Sequence, residues 1–405
     1  MTIAALEALT FGLGRLVAAA DRAGQRLCLL TGDREIYRHE LSRLDPGALD
    51  VVDVDTRDTA ACAAELERLP ELDGLINSTD TWLLPGAELA ARFGLAGPDP
   101  EAARTIRDKL AVRVLMHRHG LSRGTAIAVP DGSSAAELVR REVGLPAVLK
   151  DSAGTSSRNV WLVHDEDQLR SAVDEGADRK LFGRLLAEPF FAGPLYSAET
   201  LTWAGRTRLL GVHSRQLSRQ QHVREEAAAF PVAFPDADRA ELEQWVSRVL
   251  AVAGHRGGFA HVEFVLTAEG PELVEINGRI GGAMVGEALC RSLGTNVYEA
   301  MVDMALGKEP ELLDATTGSG PAVAFVLVYP DRTGTFTGMA GIERLAGFPG
   351  GPEWYPTMTI GNRIESLGDQ RACTGIVLAE AATAELALHR ALSAAGGVHP
   401  VVTGR

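Results

Sequence analysis

Apolar and polar positions alternate most regularly between His261 and Arg279. Val262, Phe264 and Leu266 take one side of a two-residue period and His261, Glu263 and Val265 the other, which predicts a half-buried strand. A second run sets Val274 and Ile276 against Glu275 and Asn277. Between them, Ala268-Glu269-Gly270 suits a three-residue hairpin loop ending in a left-handed residue, where glycine meets no steric penalty. That loop pairs Thr267 with Pro271, so Glu263 falls opposite Glu275 and His261 opposite Asn277.

The rest of the chain divides by period and by turn signals. Leu6 to Ala23 reads as an amphipathic helix. Arg26 to Leu30, Val51 to Val54 and Gly74 to Asn77 read as strands, and Leu83 to Phe93 as a helix. This β–α alternation predicts a small parallel sheet. Gly97-Pro98-Asp99-Pro100 is a turn cluster and marks a boundary. A helix is expected from about Glu101 to His119, then strands at Pro146 to Lys150 and Leu185 to Glu188. Another helix should run from about Met284 to Leu306. Beyond residue 311 the pattern gives strands at Ala322 to Val328 and Gly375 to Ala379, and a helix near Ala384 to Ala395.

Opposed side chains on one sheet face lie roughly 4.5–5.5 Å apart at Cβ, where like charges repel. A cation between Glu263 and Glu275, with the Asn277 oxygen beside it, would relieve that repulsion. Hard oxygen ligands suit magnesium, which takes one or two carboxylates and fills its octahedron with water and phosphate. The alternative is an ordinary solvated sheet face. Arg279 and Gly281-Gly282 favour the metal, because they add a fixed cation and open backbone N–H groups.

After Lys150, the run Asp151 to Val160 is rich in small and hydroxyl residues, which could cradle phosphates beside the lysine; an exposed hairpin is the plainer alternative. No Walker A loop occurs. Gly12-Leu13-Gly14 precedes the first expected strand, which argues against a dinucleotide fingerprint. Glu188-Pro189-Phe190-Phe191 could form a hinge under a flat base, or simply pack two phenylalanines into a core. His213, Arg215, His222 and Arg224 could bind substrate carboxylates or sit in a solvated loop.

Composition narrows the partners. At 405 residues the chain suits two or three domains, and 46% hydrophobic with 23% charged residues is ordinary globular usage. A formal charge of −14 argues against nucleic acid and anionic membranes as general partners, while a local basic pocket for a nucleotide stays compatible. The four cysteines are scattered, which fits neither a disulfide framework nor zinc and suggests a reducing cytoplasm. No apolar run reaches spanning length, and Glu7 interrupts the apolar N-terminus, so no signal peptide is expected.

In order, Asp108-Lys109, the Lys150 loop, Glu188-Pro189-Phe190-x-x-Gly193, His261-x-Glu263 and Glu275-x-Asn277-x-Arg279-x-Gly281-Gly282 resemble the ATP-grasp superfamily across roughly the whole chain. The resemblance implies an α/β (α+β) fold. It divides into a Rossmann-like N-terminal domain (1–105), an ATP-grasp core (106–310, with a flexible lobe at about 122–190) and a C-terminal α+β domain (311–405). It implies ATP with Mg²⁺, or Mn²⁺, and small-molecule carboxylate and amine substrates such as amino acids, joined through an acyl phosphate; a homodimer stays open.

Carried over by position, Lys109 and Lys150 resemble the phosphate-binding lysines, with Ser156 and Ser157 in the loop above the phosphates. Glu188, Phe190 and Phe191 resemble the adenine hinge; Glu263, Glu275 and Asn277 the metal ligands; Arg279 the arginine that steadies the acyl phosphate. Gly281, Gly282, His213 and Arg215 are the expected substrate contacts. Three departures stand out. Ser156 and Asn159 fall where glycines are usual, Leu195 where many relatives place a ribose-binding glutamate (Glu199 is the candidate substitute), and His261 where D-alanine ligases place an arginine. The motifs look closest to dipeptide-forming amino-acid ligases. The alternatives are a biotin-carboxylase-like or purine-pathway carboxylase, and a nucleotide-binding regulatory module.

Overall fold

The computed structural model describes the chain except for Ser133, Ser156, Ser157, residues 219–222, Thr317, Ser319, Asp369 and Arg405. It opens with strand β1 (Thr2–Leu6), and helix α1 (Leu13–Arg22) begins later than its periodicity suggested. All five β1 residues are buried, so the strand has no polar face to betray its period. Strands β2 (Arg26–Thr31), β3 (Asp50–Asp53) and β4 (Leu72–Ile76) join it in the parallel order β3-β2-β1-β4. Helices α2 (Arg38–Leu41), α3 (Thr59–Arg68) and α4 (Leu83–Arg92) complete this unit.

Gly12-Leu13-Gly14 therefore follows the first strand, and the order argument against a dinucleotide site fails. Packing closes the place instead. A Cβ on Gly12 would lie 2.0 Å from the Tyr298 hydroxyl, and Glu40 Oε2 accepts from Gly14 N at 2.9 Å. A carboxylate already holds the helix start.

The single helix expected from Glu101 is two, α5 (Pro100–Arg107) and α6 (Lys109–Arg118). Asp108 between them is extended, with φ −98° and ψ 97°, and accepts from the N–H groups of Leu110 and Ala111 at 3.0 and 3.1 Å. Such an N-cap contributes ~1 kcal/mol. It also starts α6 at Lys109, which turns that side chain toward the neighbouring lobe.

That lobe contains β5 (Ile127–Ala128), α7 (Ala135–Glu142), β6 (Ala147–Asp151), β7 (Val160–Val163), α8 (Glu166–Asp178) and β8 (Leu185–Pro189), with an antiparallel sheet in the order β5-β8-β6-β7. The chain then enters β9 (Leu195–Trp203), β10 (Arg206–Leu217), β11 (Glu225–Phe230), α9 (Asp236–Val252), β12 (Gly258–Thr267) and β13 (Gly270–Asn277). The helix expected from Met284 is also split, into α10 (Val285–Leu293) and α11 (Tyr298–Ala305), by left-handed Gly294 at φ 71°. Last come β14 (Ala322–Val328), β15 (Gly334–Ala340), β16 (Glu353–Pro356), β17 (Arg363–Ile364), β18 (Gly375–Ala381), α12 (Ala384–Ala395) and β19 (His399–Thr403). One eight-stranded sheet, β13-β12-β9-β10-β11-β14-β18-β16, carries the hairpin at its edge; β17-β15-β19 form a small separate sheet.

In the hairpin Glu263 faces Glu275 and His261 faces Asn277, as the alternation predicts. The route differs. Thr267 pairs with Gly270, leaving a two-residue loop, and Phe264 pairs with Leu273, leaving Val274 as an extra residue in β13. The shorter loop and the bulge offset each other, so the acids meet in the expected register. Val274 does not join the core with Ile276; it lines the cavity beside Glu275, while Leu273 takes the buried place. Val262, Phe264, Leu273 and Ile276 are each at most 4% exposed. Burying each contributes ~1.5–3 kcal/mol, enough to prevent the hairpin from turning its acids inward.

Candidate active site

A cavity of about 450 Å³ separates the β5–β8 lobe from the acid face of the hairpin. Glu263, Glu275, Asn277, Arg279 and Gly282 line one wall, and Lys150, Glu188, Phe190 and Phe191 the other. Lys109, Leu195 and Arg215 also line it.

Charge is matched across the gap. Lys109 Nζ lies 3.1 Å from Glu275 Oε2 and donates to Gly154 O at 2.7 Å. Lys150 Nζ lies 2.6 Å from Glu188 Oε1 and donates to Val274 O at 3.2 Å. Arg113, four residues along α6 from Lys109, donates to Glu188 Oε2 at 3.1 Å. Burial pulls Lys150 below the usual lysine range, against Glu188. Burial would raise Glu188, but Arg113 and Lys150 bring it below the usual carboxylate range. Burial would raise Glu275 too; Lys109, the Asn277 amide and Lys150 hold it well below that range.

Glu263 is steadied from beneath. Arg215 Nη2 lies 3.3 Å from Glu263 Oε1, and the Arg215 Nε lies 2.9 Å from Glu225 Oε1. Against the effect of burial, Arg215 and His261 lower the Glu263 carboxyl. His261 Nε2 stands 2.8 Å from Arg215 Nη1 and 3.3 Å from Glu263 Oε1, and its Nδ1 lies 2.8 Å from Glu199 Oε1; against burial, Glu199 raises the His261 ring to about 9.

The donor set fits a hard cation. Two carboxylates and an amide oxygen face the cavity, and the Asn277 amide nitrogen already donates to Glu275 Oε1 at 3.0 Å, which leaves its oxygen free to ligate. Among the described residues no three His, Cys, Asp or Glu side chains group as a cage.

Arg279 is held from the N-terminal unit. Its Nε donates to Asp80 Oδ2 at 2.8 Å, its Nη2 reaches the same oxygen, and its Nη1 donates to Ile280 O at 2.8 Å. The sequence reading missed Asp80 and Arg113. The signals were there: Asp80 follows the carboxyl end of a parallel strand, where α/β sheets gather ligands, and Arg113 shares a helix face with Lys109.

Several expected contacts lie elsewhere. Glu199 is 1% exposed, held by Ser197, His213 and His261 beneath the cavity, so it does not substitute for a ribose ligand at Leu195. His213 is fully buried with its ring 4.6 Å from that of Phe230, and does not reach substrate space. Gly281 is packed close, since a Cβ there would lie 2.6 Å from His261 Nδ1, and it is Gly282 that lines the cavity. Arg224 covers the Tyr329 ring at 3.9 Å. The Phe190 N–H is given to Pro146 O at 3.1 Å and so is not open to a ligand. Asn159 does adopt the left-handed conformation, at φ 57°. Ser156, Ser157 and His222 lie outside the described residues.

Two lobes gripping a cavity with paired acids and paired lysines define an ATP-grasp protein, and the family model for the ATP-grasp domain matches residues 143–287. A second model, the L-amino acid ligase C-terminal domain 2, matches residues 326–403. The L-arginine-specific L-amino acid ligase of Bacillus subtilis is 23% identical, over 70% of this chain and 70% of that protein. Carnosine synthase 1 of Homo sapiens is 26% identical over 71% of this chain, which spans only 37% of that longer protein. The crystal structure of an L-amino acid ligase from Bacillus licheniformis shares the fold, with TM-score 0.79 and 19% identity over 100% of this chain and 98% of that one.

Proposed function

We propose that the chain joins the carboxylate of one amino acid to the amine of another, consuming ATP to ADP and phosphate through an acyl phosphate. The observation that carries this reading is the opposition of Glu263 and Glu275 on one hairpin, faced by Lys109 and Lys150 and flanked by Arg279. Glu263, Glu275 and Asn277 would hold Mg²⁺ or Mn²⁺, which supplies charge neutralisation at the β- and γ-phosphates. Lys109 and Lys150 bind phosphate oxygens as point charges, and Phe190 offers a flat apolar surface to the base. A substrate carboxylate oxygen attacks the γ-phosphorus as the bond to ADP breaks. The amine then attacks the acyl carbon, phosphate leaves, and the nitrogen loses a proton. Arg279 stabilises the oxygens that gain charge in both steps.

The C-terminal match at 326–403 favours ligase over carboxylase. Among the described residues no helix is long and apolar enough to cross a membrane. The four cysteines are buried and unpaired, which supports a reducing setting. With ¹⁸O in the substrate carboxylate, one label should appear in the released phosphate. Release of AMP and pyrophosphate would overturn the reading, and unlabelled phosphate with bicarbonate-dependent turnover would favour the carboxylase.

A further inference from the structure

Six acids line the cavity among the described residues, and five are committed. Glu263 and Glu275 form the metal pair. Glu188 holds Lys150 and Arg113. Glu225 accepts from Arg215 Nη2 through Oε2 at 2.9 Å, and its Oε1, which accepts no hydrogen bond, still lies 2.9 Å from the Arg215 Nε; Asp151 accepts the N–H groups of Ala153, Phe182 and Gly183. Asp80 differs. Its Oδ2 takes both contacts from Arg279, while its Oδ1 is buried with no hydrogen-bond partner among the described residues. The residue is 7% exposed. An unpaired buried carboxylate oxygen is costly, and a cationic donor brought by a ligand is the partner that best relieves it.

Resting on the ligase reading above, we propose that Asp80 Oδ1 binds the ammonium group of the acceptor amino acid. The acceptor nitrogen must come to the acyl carbon, whose oxygens Arg279 stabilises. A carboxylate that holds Arg279 through one oxygen sets the distance between that guanidinium and a cation on its other oxygen. The acceptor's nitrogen is thereby fixed relative to the electrophile; it attacks once the ammonium has given one proton to solvent, and a second proton leaves as the amide forms. Asp80 also gives the N-terminal unit a direct part in choosing the substrate, since Arg279 and the metal acids all come from the hairpin side.

The test compares two nucleophiles in wild-type and Asp80→Asn protein, each with ATP, Mg²⁺ and a donor amino acid. One is the acceptor amino acid; the other is hydroxylamine, which is small, uncharged at neutral pH and traps acyl phosphate as hydroxamate. The expected result is a KM for the acceptor raised ~10- to 100-fold, the loss of one charge-assisted hydrogen bond, with the KM for hydroxylamine unmoved; a fall in kcat from the weakened hold on Arg279 is shared by both nucleophiles. An unchanged acceptor KM overturns the proposal. So does an equal rise in KM for both nucleophiles, which would make Asp80 only the anchor of Arg279. A second arm needs no variant: the acceptor's hydroxy-acid counterpart, matched in shape but lacking the ammonium, should bind wild type at least about tenfold more weakly than the acceptor. Equal binding overturns the proposal as well. If wild type yields neither dipeptide nor hydroxamate across the amino acids, the ligase reading itself falls and takes this inference with it.

Discussion

Lys109 Nζ rests 3.1 Å from Glu275 Oε2, so a cation expected at the phosphates sits against a carboxylate expected at the metal. The two are joined through a helix start and a hairpin bulge. Lys109 is the main charge that keeps the buried Glu275 carboxyl ionised.

Glu275→Gln removes the charge but keeps the shape and the bond with Asn277. ADP formation should fall by on the order of 10²-fold or more, with a melting curve close to wild type. Lys109 is 12% exposed and retains Gly154 O, so the fold tolerates the change. Chelation of wild type should stop ADP formation, with Mg²⁺ or Mn²⁺ restoring it. Near-normal turnover in folded Glu275→Gln would refute the metal assignment.

Arg279→Ala should keep ATP affinity within a few-fold and lose ligation. Arg279→Lys should rescue poorly, because the planar fork that Asp80 grips is not reproduced by a point charge. Calorimetry showing that Arg279→Ala mainly weakens ATP would move this residue into the nucleotide site.

Glu188→Gln leaves Lys150 and Arg113 buried beside a neutral amide. Breaking such a buried group destabilises by about 3–5 kcal/mol, so its urea midpoint should drop well below that of Glu275→Gln. Equal midpoints for the two variants would show that the Lys150–Glu188–Arg113 group carries little stability.

Acid should loosen the fold through His255. Burial lowers its ring to about 4, against one hydrogen bond to Gly258 O. The unfolded chain, with an ordinary value near 6.5, therefore binds more protons between those limits. This contribution is complete above pH 6.5 and is lost as pH falls toward 4, amounting to about 2 kcal/mol by pH 5. Denaturant titrations at pH 7 and pH 5 should show the difference, and His255→Asn should remove most of it.

The acid face of the hairpin was legible because strand alternation is unambiguous where one side is packed and the other charged. Its bulge was not, since Val274 is as apolar as the core residue it displaces. β1 was lost because burial on every residue erases alternation, and Leu6 lends itself to the helical spacing that follows. The break at Asp108 hides in a good helical pattern; only the cap geometry exposes it. Asp80 was signalled only by its place after a strand end, and its partner was not. Its role depends on Arg279, 199 residues away, and no local period encodes such a meeting. Glu199 shows the converse: a charged residue on the acid face itself, buried there between two histidines.

The bulge at Val274 has a mechanical consequence. An extra residue leaves its carbonyl out of the strand ladder, and that carbonyl accepts from Lys150 across the cavity. The β5–β8 lobe thus holds the hairpin by its main chain, one residue from Glu275. A rigid displacement of the lobe stretches or breaks that tether, so the position of Lys150 and the setting of Glu275 are mechanically linked.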